Sequence, residues 1–458
     1  MLKKNEEYIV DIIDSGFQGE GIAKLDDMPI FIPNAIKGEK IRVKILKVLS
    51  SHAFGKTMEV IKKSEHRKEE DCETAKMCGG CSLRHIDYDF TMKMKKVAVE
   101  NTISKVLGRK IAVDEVIKME NPFNYRNKLQ YPIGVNSDGK TVMGVYASRS
   151  HNIINTKECK IQDKLSQEIA NSIHDFIVEN KIEVYNEKSL SGSIRHIIIR
   201  IGKKTNEIMI TLVTNTEKIK NEKELVEYLI SKYPEIKTIA KNINNKNTNV
   251  ILGNKTEIIY GDGYIYDILG NKKFKISPLS FYQVNPIQTE KLYLKAVEYA
   301  DLTGEETVFD LYCGIGTIGI FASDNVKKIY GIETIPEAIE DAKENAKINE
   351  IENSEFFAGD VEKVLPELIK QRKLSADVVF IDPPRKGCDK IALDTLLQVM
   401  PNKIVYVSCN PATLARDLKI LEEKYELKKL AICDMFAFTS HVECVSVLNL
   451  KETLDIQV

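Results

Sequence analysis

A cysteine stands where a strand-like segment meets the start of a predicted helix, and this position suits nucleophilic chemistry. Residues 407–411 end an apolar strand pattern with Cys409 at the centre, and a helical pattern begins near Thr413. A thiol just before a helix N-terminus feels positive potential, which is expected to lower the pKa of Cys409 and enrich the thiolate. A lone cysteine at a strand end is more often a small buried hydrophobic residue. The neighbouring residues therefore decide between these two interpretations.

Two carboxylates, Asp382 and Glu443, also lie at the ends of apolar strand patterns. Asp382 begins the stiff loop Asp-Pro-Pro-Arg after the strand pattern 377–381, at the edge where α/β sheets bind ligands. The alternative is a simple turn with an exposed acid. A thiolate that adds to uracil C6 turns C5 into an enolate carbon that can accept a methyl group. A general base must then remove the C5 proton, and Glu443, just before an apolar strand, is the candidate.

A glycine-rich loop over residues 313–319 follows a strand pattern and opens a helix, which is typical of nucleotide-type cofactor sites. Glu333 ends the next strand, where a carboxylate can accept hydrogen bonds from ribose hydroxyls. These features alone also fit NAD. Asp310 just before the loop would repel a pyrophosphate but suits the ammonium group of a methionyl moiety, so S-adenosylmethionine is favoured over NAD.

Four of the nine cysteines form a possible ligand set. Cys72, Cys78 and Cys81 lie close together in a polar segment and Cys159 lies downstream. This pattern fits either a structural zinc or an iron-sulfur cluster, and reduced thiols without a ligand are the third interpretation.

Three kinds of segment must position these groups. Short strands over residues 8–13, 28–32 and 40–45 predict a small β-barrel, and a helix is expected from Thr91 to Gly108. Strand patterns at 195–201 and 207–213 predict an antiparallel α+β domain, with the asparagine-rich stretch 242–247 as a loop. From about residue 275 strands at 307–311, 328–333, 377–381 and 403–407 alternate with helices, one of which carries an apolar stripe of Ile335, Ile339, Ala342 and Ala346.

The N-terminal motifs, with residues 19–24 and 31–35 and a basic third strand, resemble a TRAM domain, which is an OB-like RNA-binding module. The motifs around Asp310, Asp382, Cys409 and Glu443 closely resemble the RNA (uracil-5-)-methyltransferase family, and the resemblance covers nearly the whole chain. It implies Cys409 as nucleophile, Glu443 as base and a uridine flipped out of the RNA stack. The cofactor contacts that it implies are Gln283, Tyr312, Glu333 and Asp382, with Thr317 and Asp360 as weaker candidates.

The resemblance also completes the fold prediction. We expect a multidomain α/β protein with a TRAM-like OB barrel (1–62), a central α+β domain with the cysteine cluster (63–90 and 121–273), a helical segment packing on the next domain (91–120), and a Rossmann-like S-adenosylmethionine-dependent methyltransferase domain (274–458). One branch of the family has a 4Fe-4S cluster on cysteines at matching positions, which favours that cluster over zinc at Cys72, Cys78, Cys81 and Cys159.

Composition limits the function classes. No apolar run approaches a membrane span, no leader-like segment follows Met1, and the odd cysteine number disfavours a secreted disulfide framework, so we expect a cytoplasmic protein without an obligate protein partner. Residues 37–68 hold ten Lys or Arg against three Glu, which indicates a polyanion-binding surface or a solvated basic face. The expected substrate is structured RNA, with 23S ribosomal RNA favoured by resemblance. The alternatives are a transfer RNA methyltransferase, a non-catalytic iron-sulfur RNA-binding protein, and an NAD-dependent oxidoreductase.

Overall fold

The computed structural model describes residues 2–16, 18–148 and 150–452, and its N-terminal part is a single sheet. The strands are β1 (Glu7–Asp11), β2 (Asp14–Ser15), β3 (Gly21–Leu25), β4 (Met28–Ile32), β5 (Lys40–Val48) and β6 (Ala53–Lys62). Their order is β1-β5-β6-β4-β3-β2, antiparallel except where β4 lies beside β6. The outer strands β1 and β2 follow each other in the chain, which brings the two sheet edges together. The predicted strands in this region are confirmed, and the likeness to an OB fold stays a prediction.

A long helix links this sheet to the rest of the molecule. Helix α1 (Tyr88–Leu107) begins after Asp87, whose side chain accepts a hydrogen bond from Phe90 N at 3.2 Å, and ends at Gly108 with φ of 72°. The predicted helix is confirmed, with its start three residues earlier than expected because Asp87 caps it. Val99 and Ile103 are fully buried in the core of the C-terminal part. The short strand β7 (Glu115–Ile117) follows and joins the C-terminal sheet.

The middle of the chain forms a second sheet covered by two helices. Its elements are β8 (Lys128–Val135), β9 (Thr141–Tyr146), β10 (Ile153–Asn155), α2 (Lys164–Glu179), β11 (Ile194–Ile201), β12 (Ile208–Thr214), α3 (Glu222–Lys232), β13 (Ile236–Ile243) and β14 (Lys255–Gly261). The order is β10-β9-β8-β11-β12-β13-β14. The prediction of an antiparallel sheet is wrong at one pair, because β12 and β13 run parallel across the helix that connects them. The predicted loop at 242–247 is wrong at its first two residues, which belong to β13.

The C-terminal part is a doubly wound sheet. A hairpin of β15 (Ile265–Leu269) and β16 (Lys272–Ile276) precedes it, and the elements that follow are α4 (Pro286–Ala300), β17 (Thr307–Leu311), α5 (Thr317–Ala322), β18 (Lys328–Glu333), α6 (Pro336–Ile348), β19 (Ser354–Ala358), α7 (Val361–Arg372), β20 (Val378–Ile381), α8 (Lys390–Val399), β21 (Lys403–Ser408), α9 (Pro411–Leu421), β22 (Tyr425–Cys433) and β23 (Glu443–Leu450). The order is β19-β18-β17-β20-β21-β23-β22-β7, parallel from β19 to β21.

The strands predicted in this part are confirmed within one residue. The apolar stripe is confirmed for Ile339, Ala342 and Ala346, but Ile335 is wrong, since it lies at the N-cap of α6 and is 55% exposed. In the described ranges, no helix has the length and apolar character needed to cross a membrane.

Candidate active site

The predicted site residues gather at one edge of the C-terminal sheet. Strand order reverses between β17 and β20, and in such sheets ligands bind at the carboxyl ends of the strands near the reversal. Tyr312 follows β17, Glu333 ends β18, Asp382 follows β20 and Cys409 follows β21. The fold therefore places four of the predicted site residues along one cleft edge.

Cys409 and Glu443 meet across two antiparallel strands. The register pairs Ser408 on β21 with Cys444 on β23, and the next position along sets Cys409 opposite Glu443. Glu443 is 5% exposed, and burial raises its pKa to about 8, with Asp382 contributing and Arg385 opposing. A carboxylate with a pKa near neutrality is suited to exchange protons with a bound substrate.

The expectation of a lowered pKa at Cys409 is wrong. Helix α9 does begin two residues later, with Asn410 as its N-cap. Burial nevertheless raises the pKa of Cys409 to about 11, and Glu443 and Asp382 raise it further while Arg385 lowers it. Desolvation and two nearby carboxylates outweigh the partial charge at the helix end. The thiol lies near two carboxylates and one guanidinium, and its role as nucleophile stays a prediction.

Hydrogen bonds to helix α9 hold the loop that carries Asp382. Burial raises the pKa of Asp382 to about 7. Further along the loop Cys388 N donates at 2.9 Å to the fully buried carboxylate of Asp417 on α9, which also accepts from the hydroxyl of Tyr406 at 2.6 Å. Arg416 donates to the carbonyls of Lys386 and Cys388. Because Asp417 lies on the helix after Cys409, its hydrogen bonds connect that helix to the loop that carries Asp382.

The glycine loop lies against Glu333. Gly314 N donates to Glu333 Oε2 at 3.2 Å, and Gly316 has a φ of 79°, a conformation that favours glycine. Beneath the loop, Asp310 is fully buried and its Oδ2 accepts from Gly319 N at 2.8 Å. Its Oδ1 has no partner among the described residues, and burial raises the pKa of Asp310 to about 7. An ammonium group would supply the missing partner.

Tyr293, which the sequence did not predict as a site residue, lies near three of the predicted cofactor contacts. Tyr293 on α4 is 2% exposed, and its pKa is raised by burial and by Asp382. The side chains of Thr317 and Gln283 act on the same hydroxyl and lower its pKa. Tyr293 sits in an apolar helical stripe, which gives no signal that separates it from ordinary core residues. Gln283, Thr317 and Asp382 therefore all lie near the Tyr293 hydroxyl.

Two predicted cofactor residues have their polar groups directed elsewhere. Asp360 begins α7 and its carboxylate pairs with Lys363 at 2.6 Å. Tyr312 has a φ of 62°, and its hydroxyl lies by Cys388, which contributes after burial to its raised pKa. Their roles as cofactor contacts stay predictions.

The fit of S-adenosylmethionine rests on the remaining groups. The unpartnered Oδ1 of Asp310 suits the ammonium end, and Glu333 at the strand end suits the ribose hydroxyls. No phosphate-binding cation is needed, since the molecule has no phosphate. The residues present therefore fit this cofactor.

The four predicted ligand cysteines are neighbours. All four are free and partly buried, and Cys81 and Cys159 pack against one small apolar cluster. Burial raises the pKa of Cys81 to about 12, with Cys159, Cys78 and Cys72 contributing and Arg84 opposing. Across the described ranges, however, no group of three or more His, Cys, Asp or Glu side chains is arranged to hold a metal ion. Four thiols are suitable donors for a metal cluster, but their side chains are not arranged around a common metal position.

Family models and proteins described as RNA methyltransferases match this chain. The model of the family described as tRNA (Uracil-5-)-methyltransferase matches residues 204–451, and the TRAM domain model matches residues 2–58. A protein of Clostridium acetobutylicum described as an uncharacterized RNA methyltransferase is 48% identical over 453 residues, 98% of either chain. A similarly described protein of Staphylococcus aureus is 42% identical over 451 residues, 98% of this chain and 99% of its own.

A solved structure is similar over the whole length. The tRNA (uracil-54, C5)-methyltransferase of Pyrococcus abyssi, in complex with S-adenosyl-L-homocysteine, is 27% identical with a TM-score of 0.76, and the match covers 97% of this chain and 100% of that one. The fold is thus multidomain α/β, with a TRAM domain followed by a C-terminal methyltransferase fold. The chain belongs to the RNA (uracil-5-)-methyltransferase family, whose members depend on S-adenosylmethionine.

Proposed function

We propose that this enzyme methylates carbon 5 of a uridine in RNA through a covalent intermediate on Cys409. The observation that carries the proposal is the placement of Cys409 opposite Glu443 beside Asp382 at the cleft edge. A nucleophile and a base on facing strands suit a substrate that must be attacked at one ring carbon and deprotonated at the next. An enzyme that methylates an amine has no need of this pair.

The chain's own residues perform the proton and bond changes around the ring. The Cys409 thiol loses its proton to a neighbouring carboxylate or to solvent, and its sulfur forms a bond to uracil C6. The electron pair of the C5–C6 double bond then makes C5 nucleophilic. After C5 carries the methyl group, Glu443 removes the C5 proton, the double bond re-forms and the thiolate leaves. Arg385 lowers the pKa of both Cys409 and Glu443, so it favours the ionised form of each.

S-adenosylmethionine supplies the methyl group when it is bound. We infer that Gln283, Glu333 and Asp382 contact it, with Tyr312, Thr317 and Asp360 as weaker members of the set. Their support is the gathering of Gln283, Thr317 and Asp382 around Tyr293. Cleft residues of this kind hold the cofactor still, while Asp417 holds the loop that faces it.

Replacement of Cys409 tests the proposal directly. Cys409→Ala should bind S-adenosylmethionine with wild-type affinity by calorimetry and form no 5-methyluridine. Turnover retained in Cys409→Ala would show that the covalent route is wrong.

For the RNA itself we propose 23S ribosomal RNA, supported by the TRAM domain and the four-cysteine set together. Transfer RNA is the second candidate, since the solved relative is named for uracil 54 of tRNA. Mapping of 5-methyluridine in ribosomal and transfer RNA from a strain that lacks this gene separates the two. Loss from transfer RNA alone would refute the ribosomal assignment.

We also propose that Cys72, Cys78, Cys81 and Cys159 hold a 4Fe-4S cluster that stabilises the fold or the RNA contact. The support is the donor chemistry: Cys72, Cys78 and Cys159 lie near enough to Cys81 to raise its pKa, and thiols suit this cluster better than the oxygen-binding metals. Protein purified without oxygen should contain iron and sulfide, with less of both in Cys78→Ser. Zinc in a four-thiol site, or no metal at all, would refute the assignment.

A further inference from the structure

The outer face of the TRAM domain carries three aromatic rings in contact. The ring centroids of Phe31 and Phe54 are 6.0 Å apart, those of Phe31 and His52 are 5.5 Å apart, and those of His52 and Phe54 are 5.1 Å apart. Phe54 is 39% exposed, and the other two rings are partly exposed. We call this set the aromatic triad.

Strand register shows that the triad faces outward. Ile30 and Ile32 on either side of Phe31 are fully buried, as are Ala53 and Gly55 on either side of Phe54. Because successive side chains in a strand point to opposite faces, Phe31 and Phe54 both point away from the core. Large aromatic side chains on the solvent side of a sheet do not contribute to the core.

The triad continues across the sheet into a basic row. The register pairs Ile22 with Phe31, Phe31 with Phe54, and Phe54 with Lys47, so one line crosses four neighbouring strands. The inward-facing pair Ile45 and Gly55 comes next along β5 and β6, and the following pair sets Lys44 opposite Lys56. Two like charges directly opposite each other destabilise a sheet, and a bound polyanion relieves that repulsion.

The lysines of this row form no ion pair among the described residues, although the register places Glu7 of β1 opposite Lys44, where its carboxylate contacts Arg42 at 3.8 Å. In the part of the chain that the structure describes, Lys44, Lys47 and Lys56 have no carboxylate within 4.0 Å. The nearest basic neighbour on β5, Arg42, is by contrast paired with Glu59 at 2.9 Å. A flat aromatic surface beside unpaired cations matches a strand whose bases are unstacked and whose phosphates run alongside.

We propose that this face binds an unpaired segment of the RNA substrate, with a base stacked on the aromatic triad and phosphates on Lys44, Lys47 and Lys56. The inference rests on the proposed function only in taking RNA as the substrate. Stacking accepts any base, so the face adds affinity for single-stranded RNA without reading its sequence. Choice of the target uridine is then left to the cleft at Cys409.

The two parts of the face predict different results with a fluorescein-labelled oligouridine. In full-length enzyme, Phe31→Leu with Phe54→Leu should weaken binding roughly tenfold or more by fluorescence anisotropy, with the salt dependence unchanged. Alanine at Lys44, Lys47 and Lys56 should reduce the slope of log Kd against log salt by about 2. Tyr260→Leu is the matched control, since this tyrosine is 37% exposed on the middle sheet, and should bind as the wild type does.

Several outcomes overturn the inference. Wild-type affinity in the doubly substituted phenylalanine variant, at an unchanged thermal unfolding midpoint, would show that no base stacks there. If only the lysine variant lost affinity for the oligouridine, the face would bind RNA through charge alone and no base would stack on the aromatic triad. If the double variant does not fold, Phe54→Ser gives the same test at one exposed position. A wild-type enzyme that forms no 5-methyluridine would refute the proposed function, yet the oligouridine result would stand on its own.

Discussion

Replacement of Glu443 by Gln has two opposite effects that one variant can reveal. The amide cannot accept the C5 proton, so turnover should fall by about 10²- to 10⁴-fold, the usual contribution of a general base. The same change removes a carboxylate that raises the pKa of Cys409. The thiol should therefore become easier to ionise while the enzyme becomes slower.

The size of the effect on the thiol depends on pH. At pH 7 a thiol with a pKa of about 11 is ionised in about one molecule in 10⁴. Glu443 has a pKa of about 8, so its negative charge opposes thiol ionisation mainly above that pH. Alkylation of Cys409 should thus follow the same curve in both proteins at low pH and run faster in Glu443→Gln above pH 8.

Two assays check this reasoning. Mass spectrometry of the peptide that contains Cys409 measures alkylation by iodoacetamide against pH. A denaturing gel should show a slowly migrating RNA–protein band in Glu443→Gln that is absent from the double variant with Cys409→Ala. Identical alkylation curves together with no adduct would refute both the proximity of the two groups and the role of Glu443 as base.

Four further outcomes follow from the same contacts. The pH–rate profile should rise through about pH 8 as Glu443 ionises, and Arg385→Gln should move that rise to higher pH, since Arg385 lowers the pKa of Glu443; an unmoved profile would contradict this. Urea unfolding should show that Lys95→Met costs about 3–5 kcal/mol, because Lys95 pairs with Asp434 at 2.6 Å and both are buried, whereas substitution of both partners should cost less. Asp417→Ala should raise the Kd for S-adenosylmethionine by loosening the loop that carries Asp382, and Asp417→Asn should restore part of the affinity if the role is to position the loop. Because the pKa of Glu443 is raised from 4.5 to about 8 in the folded state, the wild-type protein loses stability as pH rises from about 4.5 to 8, and Glu443→Gln should gain stability relative to it across this range by up to about 5 kcal/mol; equal pH dependence of thermal unfolding in the two proteins would contradict the raised pKa.

The residues that follow parallel strands could be placed from the sequence, since strand order and the position of the loops follow from pattern alone. Asp382 and Cys409 fall at the predicted edge for this reason. Which residue of β23 lies opposite Cys409 depends on the register of two antiparallel strands. The hydrophobic pattern determines which side chains share a face of the sheet, but not which residues pair. Tyr293 was not predicted because its polar role lies in one hydroxyl on an otherwise apolar helix face. The predicted pKa of Cys409 was wrong because burial, and carboxylates that are close in space but far along the chain, cannot be seen in the residues next to it.

The raised pKa values of Asp382, Cys409 and Glu443 share one main cause, which is burial. Asp382 and Glu443 also raise the pKa of Cys409, and Asp382 raises that of Glu443. Arg385 is the cation that lowers the pKa of both Cys409 and Glu443, and in the described residues it has no carboxylate within 4.0 Å. A substrate phosphate that captured Arg385 would withdraw this help and raise the pKa of the thiol still further. Productive binding is therefore expected to leave the guanidinium near Cys409 and Glu443. RNA phosphates are then expected on other cations, and the lysines of the TRAM face are available to bind them.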